Sequence, residues 1–323
     1  MPPGVALDLY AHFAVPSTDQ DAHLNLRRLH DENSGEGFPQ NWDPAQELAQ
    51  LNSAITPVQL LSNTDAWTAE EVMRSNSFGA AITTTNPARF GLLASLPMLD
   101  GPEALDEIDR ALDELHADDF ALRSSYDGHN LGDSIFNNVW RRLNERRATV
   151  FIHANPHLHN PTELPTPLLE VTFDIARTVY QMIYSGFFRN HRDIRLIVAQ
   201  AGGLAPTLAG RVQSTLELDW APNPMAVSKT EIREALAGLF YDVAVSGTFR
   251  SLGPVLEITT PDHVVYGCDT GAPCTDLPVV DLSARRVFTS GFMSGTAQES
   301  VATTAVSLFP QVAMRAADPL SAP

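Results

Sequence analysis

Residues 194–199 read Ile-Arg-Leu-Ile-Val-Ala, a run in which every residue except one is apolar. A strand that is buried on both faces has this composition, whereas a strand with one solvated face alternates apolar and polar residues. The run therefore predicts a strand of a parallel sheet that is covered on both sides.

Seven similar runs lie on either side of this one along the chain. Together they predict eight strands, at Val5–Ala11, Pro57–Ser62, Phe90–Leu96, Phe120–Ser125, Thr149–His153, Ile194–Gln200, Leu239–Val245 and His263–Cys268. Helical patterns lie between most of these strands. The clearest pattern opens at Gly101-Pro102, where proline suits a first turn, and it repeats leucine or isoleucine at helical spacing up to Leu115. Further helices are predicted at Asp43–Asn52, Thr68–Gly79, Ser134–Arg147, Pro167–Phe188 and Ser228–Gly238.

Eight strands that alternate with helices predict an α/β fold, a (β/α)₈ barrel that forms a single domain over residues 1–323. Two loop insertions are predicted after strands one and five, at about His23–Trp42 and Ala154–Pro167. The rival fold is a doubly wound open sheet. It requires a glycine-rich phosphate loop after the first strand, and residues 10–13, Tyr-Ala-His-Phe, do not form one.

The charge balance restricts the classes of partner. Lys and Arg number 21 against 39 Asp and Glu, a formal net charge of −18. This argues against nucleic acid and against anionic membranes as partners, but a locally basic pocket can still bind a small carboxylate. The sequence contains neither a bilayer-spanning apolar run nor an export signal, so a cytoplasmic protein is expected.

Polar residues follow several of the predicted strands, at the barrel end where catalytic groups belong. They are His12, Arg123 with Ser125, His153, Gln200 and Asp269. Two imidazoles and a carboxylate have the chemistry of a divalent metal site, and equally that of a metal-free acid–base site. Both alternatives stay open at this point.

Four segments resemble the amidohydrolase-related (amidohydrolase 2) superfamily. Residues 7–13 are similar to its Asp-x-His-x-His opening, residues 150–153 to its fifth-strand histidine segment, residues 193–203 to its sixth-strand His-x-Gly-Gly segment, and residues 265–269 to its eighth-strand Gly-Ser-Asp. The similarity extends in order over about residues 5–310. It is greatest to the branch of aminocarboxymuconate-semialdehyde decarboxylases, which includes 6-methylsalicylate decarboxylases.

The resemblance implies a barrel enzyme, often a dimer, that uses a divalent metal, commonly zinc, to bind a substrate carboxylate before carbon dioxide leaves. His12, His153 and Asp269 match the family's metal and catalytic positions. Two residues depart from the pattern: Tyr10 replaces the first histidine of the opening, and Gln200 replaces the sixth-strand histidine. Neutral tyrosine is a poor metal ligand, and glutamine cannot carry a proton as histidine does. Both stay candidate catalytic residues: each could donate a hydrogen bond to a developing oxyanion, and the Gln200 amide could instead hold a substrate carbonyl. Zinc, another divalent metal or no metal at all are therefore all compatible with the sequence.

Four further residues are candidates for substrate binding. Arg123 and Ser125 end the fourth strand, and Arg211 follows the sixth. Trp42 ends the first insertion. Ordinary structural roles compete with substrate binding: an ion pair for Arg123, a helix contact for Arg211 and core packing for Trp42.

The predicted function is a carbon–carbon lyase, a decarboxylase of a small hydroxylated aromatic or unsaturated carboxylate, with an eroded metal site and a homodimeric assembly. The first alternative is a metal-independent enzyme of the same fold that performs lactone hydrolysis, dehydration or cyclisation, as in secondary metabolism. The second alternative is a non-catalytic relative that only binds a ligand.

Overall fold

The computed structural model describes residues 7–16, 42–51, 56–66, 68–155, 164–271, 277–289, 291 and 293–317. The predicted start of the first strand, at Val5, lies outside these ranges. So does most of the two predicted insertions.

Eight parallel strands follow one another around a single sheet in chain order. They are β1 Leu7–His12, β2 Val58–Ser62, β3 Phe90–Ala94, β4 Asp119–Arg123, β5 Thr149–His153, β6 Arg195–Val198, β7 Phe240–Asp242 and β8 Val264–Val265. The residues after β8 return to β1: the Leu9 amide donates to the Tyr266 carbonyl at 2.9 Å, and the Asp269 amide donates to the Tyr10 carbonyl at 2.7 Å. These bonds close the sheet, and the predicted barrel is confirmed.

Helices surround the barrel. They are α1 Pro44–Leu51, α2 Ala69–Thr85, α3 Gly101–Asp113, α4 Asn137–Glu145, α5 Thr166–Tyr184, α6 Phe187–Asn190, α7 Ala205–Thr215, α8 Lys229–Gly238, α9 Phe249–Ile258, α10 Leu277–Thr289, α11 Gly295–Leu308 and α12 Pro310–Ala317. A short hairpin, Ser125–Tyr126 with His129–Asn130, follows β4. No helix in the described ranges is long and apolar enough to cross a membrane; the cytoplasmic location stays a prediction.

The strands are buried because helices cover their outer face while side chains fill the barrel. Every residue of β2, β3 and β4 is buried, which explains the continuous apolar runs in the sequence. Helix α2 runs six residues beyond the predicted end at Gly79, because that glycine does not terminate the helix. A Cβ there would lie 2.6 Å from Leu92 Cδ1 and 3.0 Å from Phe13 Cζ, so the glycine lets α2 approach the barrel closely.

Strand β8 is shorter than the predicted His263–Cys268. The chain leaves the regular ladder after Val265 because it turns towards β1, to which Tyr266 and Asp269 are hydrogen-bonded. Asp269, just beyond the predicted strand, has a φ of +61°. The irregular end of the strand therefore carries a residue of the candidate site.

Candidate active site

His12, His153 and Asp269 converge at the carboxyl end of the barrel. His12 ends β1, His153 ends β5, and Asp269 follows β8. One ligand atom from each residue lies within 4.8 Å of those from the other two. The imidazole rings of the two histidines are 5.0 Å apart, and His12 Nε2 lies 3.3 Å from Asp269 Oδ1. The three residues that the strand ends suggested therefore do form one cluster.

The histidines present nitrogen atoms to this cluster. His153 Nδ1 lies 2.6 Å from the carbonyl oxygen of Ala154, and only a protonated Nδ1 can donate there, so Nε2 is left as an acceptor. His12 Nδ1 lies 3.4 Å from Ser62 Oγ, and its Nε2 is buried with no hydrogen-bond partner among the described residues beyond the contact with Asp269. A ring nitrogen fixed by a second hydrogen bond is the usual arrangement of a metal-binding histidine.

Burial, and next the neighbouring His12, lower the pKa of His153 to about 4. A buried imidazolium loses its hydration, and a second imidazole nearby disfavours the charge further. His153 is therefore neutral at neutral pH, which is the form that binds a metal ion.

Asp269 is held in a left-handed backbone conformation, with φ at +61°. Its side chain is buried, and the bond from its amide to Tyr10 fixes its place beside β1. This conformation costs a non-glycine residue roughly 1–2 kcal/mol. Such strain persists where the surrounding structure determines it, which is common at functional sites.

Tyr10 fills the space beside the two imidazoles. Its buried ring lies 5.0 Å from that of His12, 5.5 Å from that of His153 and 4.5 Å from that of Phe151, measured between centroids. The tyrosine therefore packs against both histidines from the position where the resemblance places another histidine.

Gln200 begins a turn directly after β6. Its φ is +55°, and its amide donates to Oδ2 of Asp242 at 3.3 Å. The side-chain oxygen Oε1 is buried and has no hydrogen-bond partner among the described residues. The Gln200 side chain thus ends in a buried acceptor at the carboxyl end of β6.

A polar cluster lies at the seam where the barrel closes. Asp8 accepts hydrogen bonds from the Cys268 amide at 2.9 Å and from Gln59 Nε2 at 3.2 Å. Gln59 also lies 3.3 Å from Thr270 Oγ1. Burial raises the pKa of Asp8 to about 6. These contacts tie β1, β2 and the segment after β8 together next to the histidine cluster.

Comparison with known proteins agrees with the fold. The amidohydrolase family model matches residues 19–285. The chain belongs to the amidohydrolase family. A 6-methylsalicylic acid decarboxylase from Aspergillus aculeatus is 31% identical, with 80% of this chain and 81% of the relative covered.

Solved structures share the fold of this amidohydrolase at lower identity. A 2,6-dihydroxybenzoate decarboxylase complexed with 2,6-dihydroxybenzoate aligns with a TM-score of 0.77 and 17% identity over 95% of this chain and 99% of the other. A 5-carboxyvanillate decarboxylase from Novosphingobium aromaticivorans, solved with manganese and 4-hydroxy-3-methoxy-5-nitrobenzoic acid, aligns with a TM-score of 0.77 and 16% identity over 95% and 96% of the two chains.

The side chain of Arg123, a candidate for substrate binding, is engaged in hydrogen bonds and an ion pair within the protein. Its buried guanidinium donates to the Thr64 carbonyl and to Asn155 Oδ1 at 3.1 Å, and it pairs with Asp65. Ser125 accepts a hydrogen bond at its carbonyl from Asn155 Nδ2 at 2.8 Å. These bonds join the ends of β2, β4 and β5, so both residues have structural partners, and their contact with substrate stays a prediction.

The other two candidates for substrate binding lie apart from this network. Arg211 is exposed on α7. The Trp42 ring lies 6.2 Å from that of Phe13 and 6.4 Å from that of Phe90, in an aromatic cluster against the barrel. The structure thus offers packing as the role of Trp42, and no described contact supports a substrate role for Arg211.

Sequence reasoning did not single out Ser62 and Asn155. Ser62 ends β2 beside His12, and the rule that sites form at strand ends would have found it. Asn155 lies two residues beyond the end of β5, and no sequence pattern predicts its hydrogen bonds to Arg123 and Ser125.

Proposed function

We propose that this amidohydrolase is a decarboxylase that removes carbon dioxide from a small hydroxylated aromatic carboxylate. The cluster of His12, His153 and Asp269 carries the proposal, because it combines two imidazole nitrogen ligands with a carboxyl group at the catalytic end of the barrel. The relative named 6-methylsalicylic acid decarboxylase supports the reaction and the substrate class.

The same three residues are the proposed ligands of a divalent ion. Two imidazoles and a carboxylate suit zinc or manganese and leave positions open for substrate. The manganese of the carboxyvanillate decarboxylase supports this choice. When bound, the ion supplies a Lewis acid and positive charge for the substrate carboxylate. The buried guanidinium of the neighbouring Arg123 is engaged by Asp65 and two other groups, so the ion supplies charge in addition to that of Arg123.

Asp269 is the proposed proton donor. In the reaction the ring carbon that carries the carboxylate gains a proton, the bond to the carboxylate carbon breaks, and carbon dioxide leaves as the ring becomes aromatic again. One carboxyl oxygen of Asp269 would hold the ion, and the other would transfer the proton to the ring carbon.

A metal-independent reaction is the second candidate function. The direct contact of 3.3 Å between His12 and Asp269 supports it, because an imidazole–carboxylate pair can act as acid and base without an ion. Lactone hydrolysis, dehydration or cyclisation would suit such a pair. A chelator separates the two candidates: it abolishes the first reaction and leaves the second.

A homodimer is the proposed assembly. Helix α5 exposes the apolar side chains of Leu168, Leu169 and Phe173, the first of them to 62%. Apolar side chains grouped on one surface are typical of protein interfaces. Sedimentation velocity tests this assembly, and a monomer at micromolar concentration would contradict it.

The test of the proposed function is release of carbon dioxide from 6-methylsalicylate and from 2,6-dihydroxybenzoate. Protein produced without a metal-binding tag is assayed as isolated, after chelation, and after manganese or zinc is restored. We expect turnover that chelation abolishes and metal restores. Asp269→Asn is expected to lose turnover by orders of magnitude while the protein stays folded. Near-wild-type turnover in that variant would remove Asp269 from the reaction.

A further inference from the structure

The turn after β6 has an unusual backbone. Four successive residues, Gln200 to Gly203, have φ values of +55°, +57°, +72° and +57°. The last two are glycines, but Gln200 and Ala201 are not, and each costs roughly 1–2 kcal/mol in this conformation. A left-handed turn of this kind needs contacts that hold it in place.

Asp242 provides such a contact. Its side chain is completely buried at the end of β7, where Oδ2 accepts the Gln200 amide at 3.3 Å and the Ala244 amide at 3.0 Å. One carboxyl oxygen thus fixes the first residue of the turn after β6 and also the chain that follows β7.

The other oxygen of Asp242 is confined by its surroundings. Oδ1 has no hydrogen-bond partner among the described residues. A Cβ on Gly267 would overlap Oδ1 and would come within 2.5 Å of Tyr10 Cβ, so only glycine fits between the two side chains. Asp242 is therefore fixed from the β8 side of the barrel as well.

Gln200 carries the group that this arrangement would orient. Its Oε1 atom is buried without a hydrogen-bond partner among the described residues, and an unsatisfied buried acceptor costs roughly 1–3 kcal/mol. A substrate hydroxyl that donates to Oε1 would remove that cost. The residue follows β6, the strand that pairs with β5, which ends at His153.

We propose that Asp242 is a positioning residue that holds the left-handed turn at Gln200, so that the Gln200 amide oxygen accepts a hydrogen bond from a hydroxyl group of the substrate. This inference rests on the proposed decarboxylation of a hydroxylated aromatic acid. Asp242 acts through its bonds to backbone amides, for which a neutral acceptor of the same shape suffices.

The activity test is a double-mutant cycle on the manganese-loaded enzyme with 6-methylsalicylate. Asp242→Ala is expected to lose about 100-fold in kcat/KM, the order of magnitude that accompanies a misplacement of about 1 Å. If Asp242 acts through Gln200, the Asp242→Ala/Gln200→Ala double variant is no worse than Gln200→Ala within about threefold. A double variant that loses the product of the two single effects overturns the proposal.

Asp242→Asn separates positioning from proton transfer. Its amide oxygen can accept the same two backbone hydrogen bonds, so kcat/KM is expected to recover to within about threefold of wild type, with an unchanged pH profile. A loss as large as that of Asp242→Ala overturns the proposal. If Asp242→Ala does not fold, Asp242→Asn decides alone, and a loss above about tenfold counts against positioning.

Amide hydrogen exchange tests the turn without any reaction. Peptides that cover residues 199–203 should exchange at least about tenfold faster in Asp242→Ala than in wild type, and Asp242→Asn should match wild type. Asn223→Ala is the matched control and should leave exchange over residues 199–203 unchanged. Asn223 Oδ1 also accepts a hydrogen bond from a backbone amide, that of Val227 at 2.9 Å, but in the connection between α7 and α8. Unchanged exchange in Asp242→Ala overturns the proposal. If no substrate is decarboxylated, the proposed function fails, but the exchange result still decides whether Asp242 holds the turn.

Discussion

Asp119 should make the stability of the protein depend on pH. It is the first residue of β4, is only 8% exposed, and has Thr149 and Arg195 as its neighbours. Burial raises the pKa of this carboxyl from the ordinary 3.8 to about 7, and Thr149 offsets that rise only in part. Between pH 3.8 and pH 7, the folded protein therefore keeps a proton on Asp119 that the unfolded chain releases.

The size of the effect follows from the shift. The two pKa values differ by roughly 3 units, which is about 4 kcal/mol at about 1.4 kcal/mol per unit. The folded state holds the proton more tightly, so this contribution is fully present below pH 3.8 and is lost as the pH rises through 7. Of the total, about 2 to 3 kcal/mol is lost between pH 5 and pH 8.

The perturbation that isolates this group is Asp119→Asn, which keeps the size of the side chain and removes its ionisation. The free energy of unfolding, measured by urea titration at pH 5 and pH 8, should fall about 2 to 3 kcal/mol less in the variant than in wild type. The pH 5 measurement is the internal control, since the Asp119 carboxyl of the folded wild-type protein is protonated at that pH. An identical pH dependence in the two proteins would show that Asp119 ionises normally and would refute the argument from burial.

Three further outcomes follow from the site and the turns around it. Gly203→Ala should lower the free energy of unfolding by more than about 3 kcal/mol, because Gly203 has a positive φ and a Cβ there would overlap the Thr172 carbonyl. Gly210→Ala, whose Cβ would meet nothing within 4 Å, should raise that free energy by up to about 1 kcal/mol. Urea titration compares the two variants, and equal effects would contradict this expectation. His153→Ala should bind manganese at least about tenfold more weakly by calorimetry, and unchanged affinity would exclude His153 as a ligand. Val245→Gly should raise the melting temperature by a few degrees, which corresponds to about 1 kcal/mol of backbone strain relieved, because Val245 has a φ of +54° and its side chain is half exposed. A lower melting temperature would show that the side chain contributes more stability than the strain costs.

The barrel was predictable because parallel strands leave a direct trace in the sequence. The strand Thr149–His153 has the predicted bounds, and the burial of its first four residues explains the apolar run that identified it. The strands that bear the site were harder to delimit. Strand β7 is Phe240–Asp242 rather than Leu239–Val245, because the bonds that Asp242 makes to two backbone amides take the following residues out of the ladder.

The candidate cluster was predictable for a related reason. Polar residues at the ends of β1 and β5 and after β8 must meet at one end of a barrel, and His12, His153 and Asp269 do. The hydrogen bond between the Gln200 amide and Asp242 could not be predicted from the sequence. It joins residues 42 positions apart through a side chain and a backbone group, which leave no periodic pattern. Arg123 shows the same limit: its charge was visible in the sequence, but its partner Asp65 was not.

Metal content measured together with turnover tests the proposed decarboxylase most directly. Protein purified without chelators or a metal-binding tag is analysed for divalent metals, and each preparation is assayed for carbon dioxide release from 6-methylsalicylate. Close to one ion per chain is expected, with turnover in proportion to the metal present and loss of both in His153→Ala. A folded protein that takes up no ion, or that releases carbon dioxide equally well in excess chelator, would contradict a metal site at His12, His153 and Asp269.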